Sequence, residues 1–202
     1  MNLEKFTDRA KGFLQSAQTV AIRMNHQQIT AAHILKALLE DDQGMASGLI
    51  AKAGGDAKKA HQDVDAALAK IPAVSGGGAQ QTPGLNNDAV RALDQAEQIA
   101  EKAGDSYVTV ERLLLALALS KDTPAAPAIS KAAVAADGLN RSINERRKGK
   151  TADTASADAS YPTMKKFTHA LSPSARSAPR TTGIAPSARS RRHTHPRLRA
   201  TQ

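Results

Sequence analysis

An eleven-residue stretch occurs twice in this chain, and this repeat limits the possible folds more than any other feature. The first copy covers residues 29–39 (ITAAHILKALL) and the second begins 79 positions later, at residues 108–118 (VTVERLLLALA). We call this shift, from 29 to 108, the repeat offset. Each copy has a β-branched residue, a threonine, two variable positions and then a face of leucine and alanine. Threonine is a favoured helix N-cap, so both copies predict a helix that begins directly after Thr30 or Thr109.

The similarity extends on both sides of the motif at the same repeat offset. The matched pairs include Phe6 with Leu85, Leu14 with Leu93, Ala21 with Ala100, Ile50 with Ile129 and Val64 with Ile143. Chance similarity between two helices rich in alanine and leucine would not preserve this register across two loops. Because two copies are too few for a solenoid, we expect a duplicated helical unit that packs on itself as one pseudo-twofold domain.

The few aromatic residues favour the same fold class. The 202 residues contain no Trp, three Phe and two Tyr, so the core must be built from aliphatic side chains, which favours helices over a sheet. We therefore expect an all-α, eight-helix domain made of two four-helix repeats. Apolar periodicity and helix-ending glycines and prolines predict helices at residues 4–24, 31–40, 45–53, 56–70, 87–102, 110–120, about 128–135 and 138–147.

Composition changes along the chain predict its divisions. The repeat domain is expected at residues 1–148, with repeat one at 1–72, a connector at 73–84 that contains three consecutive glycines, and repeat two at 85–148. Small polar residues then predict a flexible linker at 149–163. Residues 164–202 have no apolar periodicity and predict a disordered basic tail.

The net charge of +9 belongs to that tail. Nine of the 28 Lys and Arg residues lie in 164–202, where there is no Asp or Glu, so residues 1–163 are balanced with 19 charges of each sign. The tail predicts salt-sensitive contact with polyanions, and this leaves nucleic-acid binding as an alternative function. The balanced repeat gives no reason to expect a specific nucleic-acid partner.

The sequence also excludes several locations and chemistries. Cysteine is absent, which rules out disulfides and thiolate metal sites, and the charged N-terminus MNLEKFTDRAKGF lacks the apolar core of a signal peptide. No run approaches the roughly 18 apolar residues that span a membrane. We therefore expect a soluble cytoplasmic protein with no membrane partner.

No motif in the chain predicts catalysis or a cofactor. Gly149–Thr151 matches only the end of a phosphate-binding loop, because Asn144 stands where the pattern needs a glycine. His33 is matched by Arg112 in the second repeat, an exchange typical of a partly exposed polar position and not of a metal ligand. No nucleophile is followed by a suitable base. We expect no enzyme activity, no cofactor and no metal.

Four segments resemble one family in order along the chain. They are the opening MNLEKFTDRAKGF, the helix at 33–39, the turn Gly104-Asp105-Ser106-Tyr107 and the stretch Met164-Lys165-Lys166-Phe167-Thr168. Together they resemble the Clp N-terminal repeat domain, which stands at the front of Clp-family AAA+ chaperones, and are most similar to the protein disaggregases among them. The resemblance covers residues 1 to about 171.

This resemblance implies a function and a site. Clp repeat domains of this type are mobile on a linker and capture unfolded or aggregated polypeptide for a hexameric ATPase ring. An apolar groove flanked by a few polar groups does the binding. On matching positions of this chain, the resemblance implies that the polar groups are Thr7, Asp105 and Glu111 and that the apolar contacts are Leu93, Tyr107 and Val110.

The resemblance stops abruptly at Ser172. Neither a phosphate loop nor an acidic metal-binding strand follows. The sequence from this point is rich in Arg, Pro, Ser and Ala, which is typical of GC-rich DNA translated in the wrong frame. We therefore expect a truncated or frameshifted member that is monomeric and captures polypeptide without an ATPase motor. An intact Clp chaperone or an adaptor protein is a further expected partner, and adaptor docking is a second alternative function.

Overall fold

The computed structural model describes residues 2–74, 82–120, 128–129, 132 and 135–160. Seven α-helices lie within these residues. They are α1 (Asp8–Arg23), α2 (Ala31–Leu39), α3 (Met45–Lys52), α4 (Ala57–Leu68), α5 (Asn87–Lys102), α6 (Val110–Leu119) and α7 (Ala136–Arg147). Two strands of two residues, β1 (Gln28–Ile29) and β2 (Gly84–Leu85), and two 3₁₀ turns, Leu3–Lys5 and Ala157–Ser160, complete the described elements.

Polar side chains at the N-caps determine where most of these helices begin. Thr7 Oγ1 accepts a hydrogen bond from the Ala10 N–H at the start of α1, and Asn86 plays the same part at α5. Asp56 accepts two N–H groups at the start of α4, and Thr109 accepts one at α6. These contacts satisfy backbone donors that a helix cannot pair internally. They confirm the capping role that the sequence predicts for the motif at Thr109.

The duplication predicted from the sequence is confirmed by the helix boundaries. Both ends of α5 lie one repeat offset after the ends of α1, and both ends of α7 lie one repeat offset after those of α4. The start of α6 follows the start of α2 by the same shift. The equivalent of α3 falls largely outside the described residues, where only Ala128 and Ile129 are seen to be helical.

Two short parallel contacts show how the repeats are related. Ile29 of β1 pairs with Leu85 of β2, and Phe6 forms a parallel bridge with Val108. Each residue of the second pair lies one repeat offset from a residue of the first. A hydrogen bond from the next backbone N–H accompanies each pair, at 2.9 and 3.0 Å. Exchanging the two repeats therefore maps one contact onto the other, as a pseudo-twofold axis requires.

The core is aliphatic and centres on the two motif helices. All nine residues of α2 are buried, and so are eight of the ten residues of α6. Helix α1 packs on α2, and α5 packs on α6, so the outer helices sandwich an inner pair that is in mutual contact. The largest fully buried aliphatic side chains include Ile34, Leu35, Leu38, Leu113, Leu114 and Leu117. Phe6 is the aromatic side chain buried in this core.

The first helix begins later than predicted. The sequence predicts a helix from residue 4, whereas α1 begins at Asp8. The physical reason is that Phe6 is held extended by its bridge to Val108 and Thr7 is used as the N-cap. The preceding residues form the 3₁₀ turn Leu3–Lys5.

The segment after α7 packs against the helices. The sequence predicts a flexible linker from residue 149, but Ala152, Ala157 and Asp158 are buried in the structure. Alanine is small enough to pack closely, and the segment's backbone groups pair with those of the α5–α6 connection. The predicted tail at 164–202 lies outside the described residues, and the boundaries proposed for the repeat domain remain predictions.

Candidate functional site

Five charged side chains from three parts of repeat two meet in the interior. Asp105 comes from the α5–α6 connection, Glu111 and Arg112 from the first turn of α6, and Arg146 and Arg147 from the last turn of α7. We call these five residues the arginine–carboxylate cluster. Their side chains are between 0 and 6% exposed. Charges this deep require partners, because desolvation of an isolated ion is very costly.

Asp105 is surrounded by donors. Its carboxylate accepts from Arg112 Nε at 2.9 Å, from Arg147 Nη1 at 2.5 and 2.8 Å, and from the backbone N–H of Ala152 at 2.9 Å. Burial alone would raise the pKa of Asp105, but the hydrogen bonds from Arg112 and Arg147 outweigh burial and lower it. Asp105 is therefore a charged anchor and not a proton donor near neutral pH.

Glu111 completes the pairing around Arg147. Arg147 Nε donates to the Glu111 carboxylate at 2.6 Å, and Arg146 Nη1 donates to its other oxygen. Arg147 Nη2 also donates to Thr109 Oγ1 at 2.6 Å. Burial lowers and the charge of Glu111 raises the pKa of Arg147, with a net rise. The guanidinium thus ties the end of α7 to the start of α6 through a fork of directed bonds.

Repeat one has no counterpart of this cluster. The positions one repeat offset before Glu111 and Arg147 hold Ala32 and Leu68, both of which are buried apolar residues. The local backbone is the same in both repeats. The His26 N–H donates to the Ala21 carbonyl, and the Asp105 N–H donates to the equivalent Ala100 carbonyl, at 2.9 Å in each case. The difference therefore comes from side chains placed on a common frame.

The equivalents of Asp105 and Arg112 are His26 and His33. The two imidazoles are in contact, with His26 Nδ1 2.8 Å from His33 Nε2, and the rings meet edge to face. His33 is fully buried, so the prediction of a partly exposed polar position is wrong for this residue and for Arg112, which is 5% exposed. Burial and the neighbouring His26 lower the pKa of His33 to about 4. Sequence reasoning did not recognise that repeat one has a pair of histidines where repeat two has the pair Asp105 and Arg112.

Residues 151–160 cover the polar end of repeat two, and we call this segment the strap. The Ala152 carbonyl accepts from the backbone N–H groups of Ser106 and Tyr107, both at 3.0 Å. The Ala155 carbonyl accepts from the Asp8 N–H at 2.9 Å. The strap therefore bridges the α5–α6 connection of repeat two and the first turn of α1 in repeat one.

Asp158 brings a carboxylate of the strap to Thr7. The Thr7 hydroxyl donates to Asp158 Oδ2, while the other oxygen, Oδ1, has no hydrogen-bond partner among the described residues. Asp158 is 3% exposed, and burial raises its pKa despite the hydrogen bond from Thr7. The strap thus introduces a buried acidic group beside Thr7 and Val110, two of the residues that the sequence singles out.

The structure places the six predicted site residues in two environments. Thr7, Asp105 and Glu111 lie beneath or beside the strap, and Tyr107, which is partly exposed, donates its backbone N–H to the strap. Val110 begins α6 and is 2% exposed. Leu93 is fully buried on α5 and belongs to the core. Five of the six side chains are thus closed to solvent in this conformation, and Tyr107 is the exception.

An open apolar groove lies elsewhere, between the first half of α1 and the paired strands. Leu3 is 43% exposed, Leu14 and Leu85 are partly exposed, and Ile29 and Pro83 form a buried floor. We call these five residues the apolar groove. Its rim carries the polar side chains of Lys11, Gln15 and Gln18. Sequence reasoning missed Leu3 and Leu85, although an exposed leucine before a capped helix was the available signal.

Two kinds of feature are absent from the described residues. No helix there is long and apolar enough to cross a membrane. Likewise, that part of the chain contains no group of three or more His, Asp and Glu side chains that could hold a metal ion.

Comparison with known proteins identifies the family of this chain. The model of the Clp repeat (R) N-terminal domain matches residues 5–132. The chain belongs to the Clp repeat N-terminal domain family. The resemblance seen in the sequence is thereby confirmed. A Clp repeat domain accounts for the duplication and for the constant repeat offset that the helices preserve.

Curated relatives of this Clp repeat chain include the chaperone protein ClpB of two bacteria. The chain is 51% identical to ClpB of Rhodopseudomonas palustris and 49% identical to ClpB of Agrobacterium fabrum. In both cases the match covers 87% of this chain and 20% of the relative. The chain therefore spans about a fifth of the length of the curated relatives that it matches.

Solved structures share the fold at lower identity. The N-terminal domain of Hsp104 from Candida albicans superposes with a TM-score of 0.66 at 23% identity, covering 76% of this chain and 99% of that one. The N-domain of ClpV from Vibrio cholerae gives a TM-score of 0.60 at 17% identity, covering 75% and 90%. These likenesses show that the Clp repeat fold tolerates extensive sequence change.

Proposed function

We propose that this chain is the polypeptide-binding domain of a ClpB-type protein disaggregase, and that it captures unfolded or aggregated protein in the cytoplasm. Membership of the Clp repeat family and about 50% identity to ClpB chaperones support this proposal. The matched family is that of a non-catalytic domain, so the proposal includes no ATP hydrolysis by this chain and no cofactor. An intact Clp chaperone or its adaptor would be the partner that receives the captured polypeptide.

The observation that carries the proposal is the apolar groove. Folded proteins hide their apolar side chains, so a surface that presents several of its own can distinguish unfolded chains from folded ones. Leu3, Leu14 and Leu85 offer such a surface, and the uncharged amides of Gln15 and Gln18 at its rim can pair with an extended backbone. We assign Thr7, Asp105 and Glu111 to a second, polar part of the site, with Tyr107 and Val110 as apolar contacts beside it.

Fluorescence anisotropy with the full chain tests this proposal. The probe is reduced, carboxymethylated α-lactalbumin, a permanently unfolded protein, carrying a fluorescent label. Binding is measured at about 0.1 and 1 M salt, where the Debye length falls from about 10 to about 3 Å. Apolar recognition predicts nearly equal affinity at both salt concentrations. Binding that disappears at high salt would instead indicate that the basic residues of 164–202 are responsible.

Groove variants with a matched control locate the binding surface. The double variant Leu3→Asn and Leu14→Asn removes two partly exposed apolar side chains, and a loss of about 0.7 kcal/mol for each predicts roughly tenfold weaker binding. Leu119→Asn is the control, because Leu119 is similarly exposed at 38% but lies at the end of α6. Equal losses in the double variant and the control would contradict a specific groove.

A further inference from the structure

The strap is attached to the domain mainly through backbone groups. Its Ala152 and Ala155 carbonyls accept from three N–H groups of the domain, those of Ser106, Tyr107 and Asp8. Asp8 is the first residue of α1, where backbone N–H groups have no partner within the helix. Recognition through main-chain hydrogen bonds does not depend on the sequence of the bound segment. Another polypeptide segment could therefore satisfy the same donors.

The side chains of the strap add little to its attachment. Two of them are buried methyl groups, Ala152 and Ala157, and each contributes only about 0.8 kcal/mol. Most of the remaining strap residues are exposed, namely Thr151, Asp153, Thr154, Ser156 and Ala159. Burial of the Asp158 carboxyl is costly and raises its pKa, and this cost offsets part of what its hydrogen bond with Thr7 contributes. Such a segment is expected to open locally while the helices stay folded.

The residues beneath the strap are those to which we assign the polar part of the polypeptide site. The Ala152 N–H donates to Asp105 at 2.9 Å, and Asp158 accepts the hydroxyl of Thr7. A client segment could not reach Thr7 or Asp105 while the strap is in place. No residue of the strap lines the apolar groove.

We propose that the strap is an internal ligand that occupies the polar part of the polypeptide site, so that a client binds there only after the strap is released. This inference rests on the proposed function. The strap's own pattern defines the client segment: a chain with small side chains that presents two backbone carbonyls and, after a turn, one carboxylate. Client and strap compete for the same groups. The apparent affinity for the client is therefore the intrinsic affinity multiplied by the fraction of molecules in which the strap is open.

A reversible disulfide tests the competition directly. The chain has no cysteine, so the double variant Asp8→Cys and Ala155→Cys introduces a single pair of thiols at the two residues that the 2.9 Å backbone hydrogen bond joins, and thiol titration measures how much of the oxidised sample carries the disulfide. The carboxymethylated probe has no free thiol and is unaffected by oxidant or reductant. The reduced variant is expected to bind like the wild-type chain, and the oxidised variant about tenfold more weakly. Equal affinity in both redox states would overturn the inference.

A release variant tests the opposite direction. Ala152→Glu places a carboxylate at a fully buried position beside Asp105, which expels the strap without changing any residue of the site or the groove. Ala159→Glu is the matched control, since Ala159 is exposed on the same segment. Ala152→Glu is expected to bind the probe about fivefold more tightly, with Ala159→Glu unchanged. Tighter binding by both variants would also overturn the inference, because charge and not release would explain it.

The two proposals fail in different ways. If the reduced double variant binds and the groove variants weaken that binding, but the disulfide has no effect, the proposed function stands and the strap inference fails. If neither the wild-type chain nor Ala152→Glu binds the probe, the proposed function fails, and the strap inference fails with it.

Discussion

The buried His26–His33 pair predicts that the fold loses stability between pH 7 and pH 5. The Thr30 N–H donates to His33 Nδ1 at 3.0 Å, so that nitrogen carries no proton, and His33 Nε2–H must donate to His26 Nδ1 at 2.8 Å. Both rings are therefore neutral in the folded state. Protonating His33 Nδ1 would set one N–H against another in a site without solvent.

The magnitude follows from the lowered pKa of His33. Its pKa falls from 6.5 to about 4 on folding, so the stabilisation is complete above pH 6.5 and is lost as the pH falls toward 4. Linkage with these two values gives a loss of about 2 kcal/mol between pH 7 and pH 5 and about 3 kcal/mol by pH 4. The lowered pKa of His26 adds a change of the same sign.

Urea unfolding followed by circular dichroism at 222 nm measures this loss, because the chain has no Trp for fluorescence. The control is His33→Gln, whose amide oxygen can accept from Thr30 N–H and whose NH₂ can donate to His26 without titrating. The free energy of unfolding of His33→Gln is expected to fall much less between pH 7 and pH 5. An equal fall in the wild-type chain and His33→Gln would refute the assignment.

Four further substitutions test contacts that stabilise the fold. Arg147→Leu removes hydrogen bonds from both cluster carboxylates but leaves Arg112 with Asp105 and Arg146 with Glu111, so it should cost about 1.5–3 kcal/mol by urea unfolding. Gly12→Ala on α1, where an added Cβ meets nothing, should stabilise by about 1 kcal/mol, whereas Gly138→Ala should not, because its Cβ would lie 3.3 Å from the Ala53 carbonyl oxygen. Asp56→Ala removes two N-cap hydrogen bonds and should lower stability by about 1 kcal/mol.

A wider exchange is the control for Arg147→Leu. Replacing the whole cluster by the residues of repeat one removes charges together with their partners, and it should recover most of the lost stability. The exchange is Asp105→His, Glu111→Ala, Arg112→His, Arg146→Ala and Arg147→Leu. A multiple variant as unstable as Arg147→Leu alone would show that the pairing of charges is not the cause.

The sequence predicted the helical frame because its signals are local. N-caps such as Thr7, Asp56 and Thr109 and a glycine such as Gly54, with φ of +86°, act within one turn of where they stand. Because the repeat offset is constant, the helix boundaries of repeat two follow from those of repeat one. The start of α1 was misplaced because a long-range contact, the bridge between Phe6 and Val108, decides it.

The site was less predictable, since its contacts join distant segments. Arg147 and Asp105 are 42 residues apart in the sequence, and Thr7 and Asp158 are 151 residues apart. No helical or repeat periodicity relates residues at these separations. The small polar composition of the strap is also what a solvated linker would have. One repeat offset after His26 and His33 the sequence has Asp105 and Arg112, an exchange that was visible in the sequence but was not interpreted as a buried cluster.

One NMR titration tests the central claim, that the apolar groove of the domain binds polypeptide. The ¹⁵N-labelled full chain is titrated with unlabelled carboxymethylated α-lactalbumin at high salt, and backbone amide shifts are mapped onto the sequence. The claim predicts that the largest shifts occur around Leu3, Leu14, Ile29 and Leu85 and that they saturate together. Shifts confined to residues 164–202, or shifts that vanish as salt is raised, would contradict it.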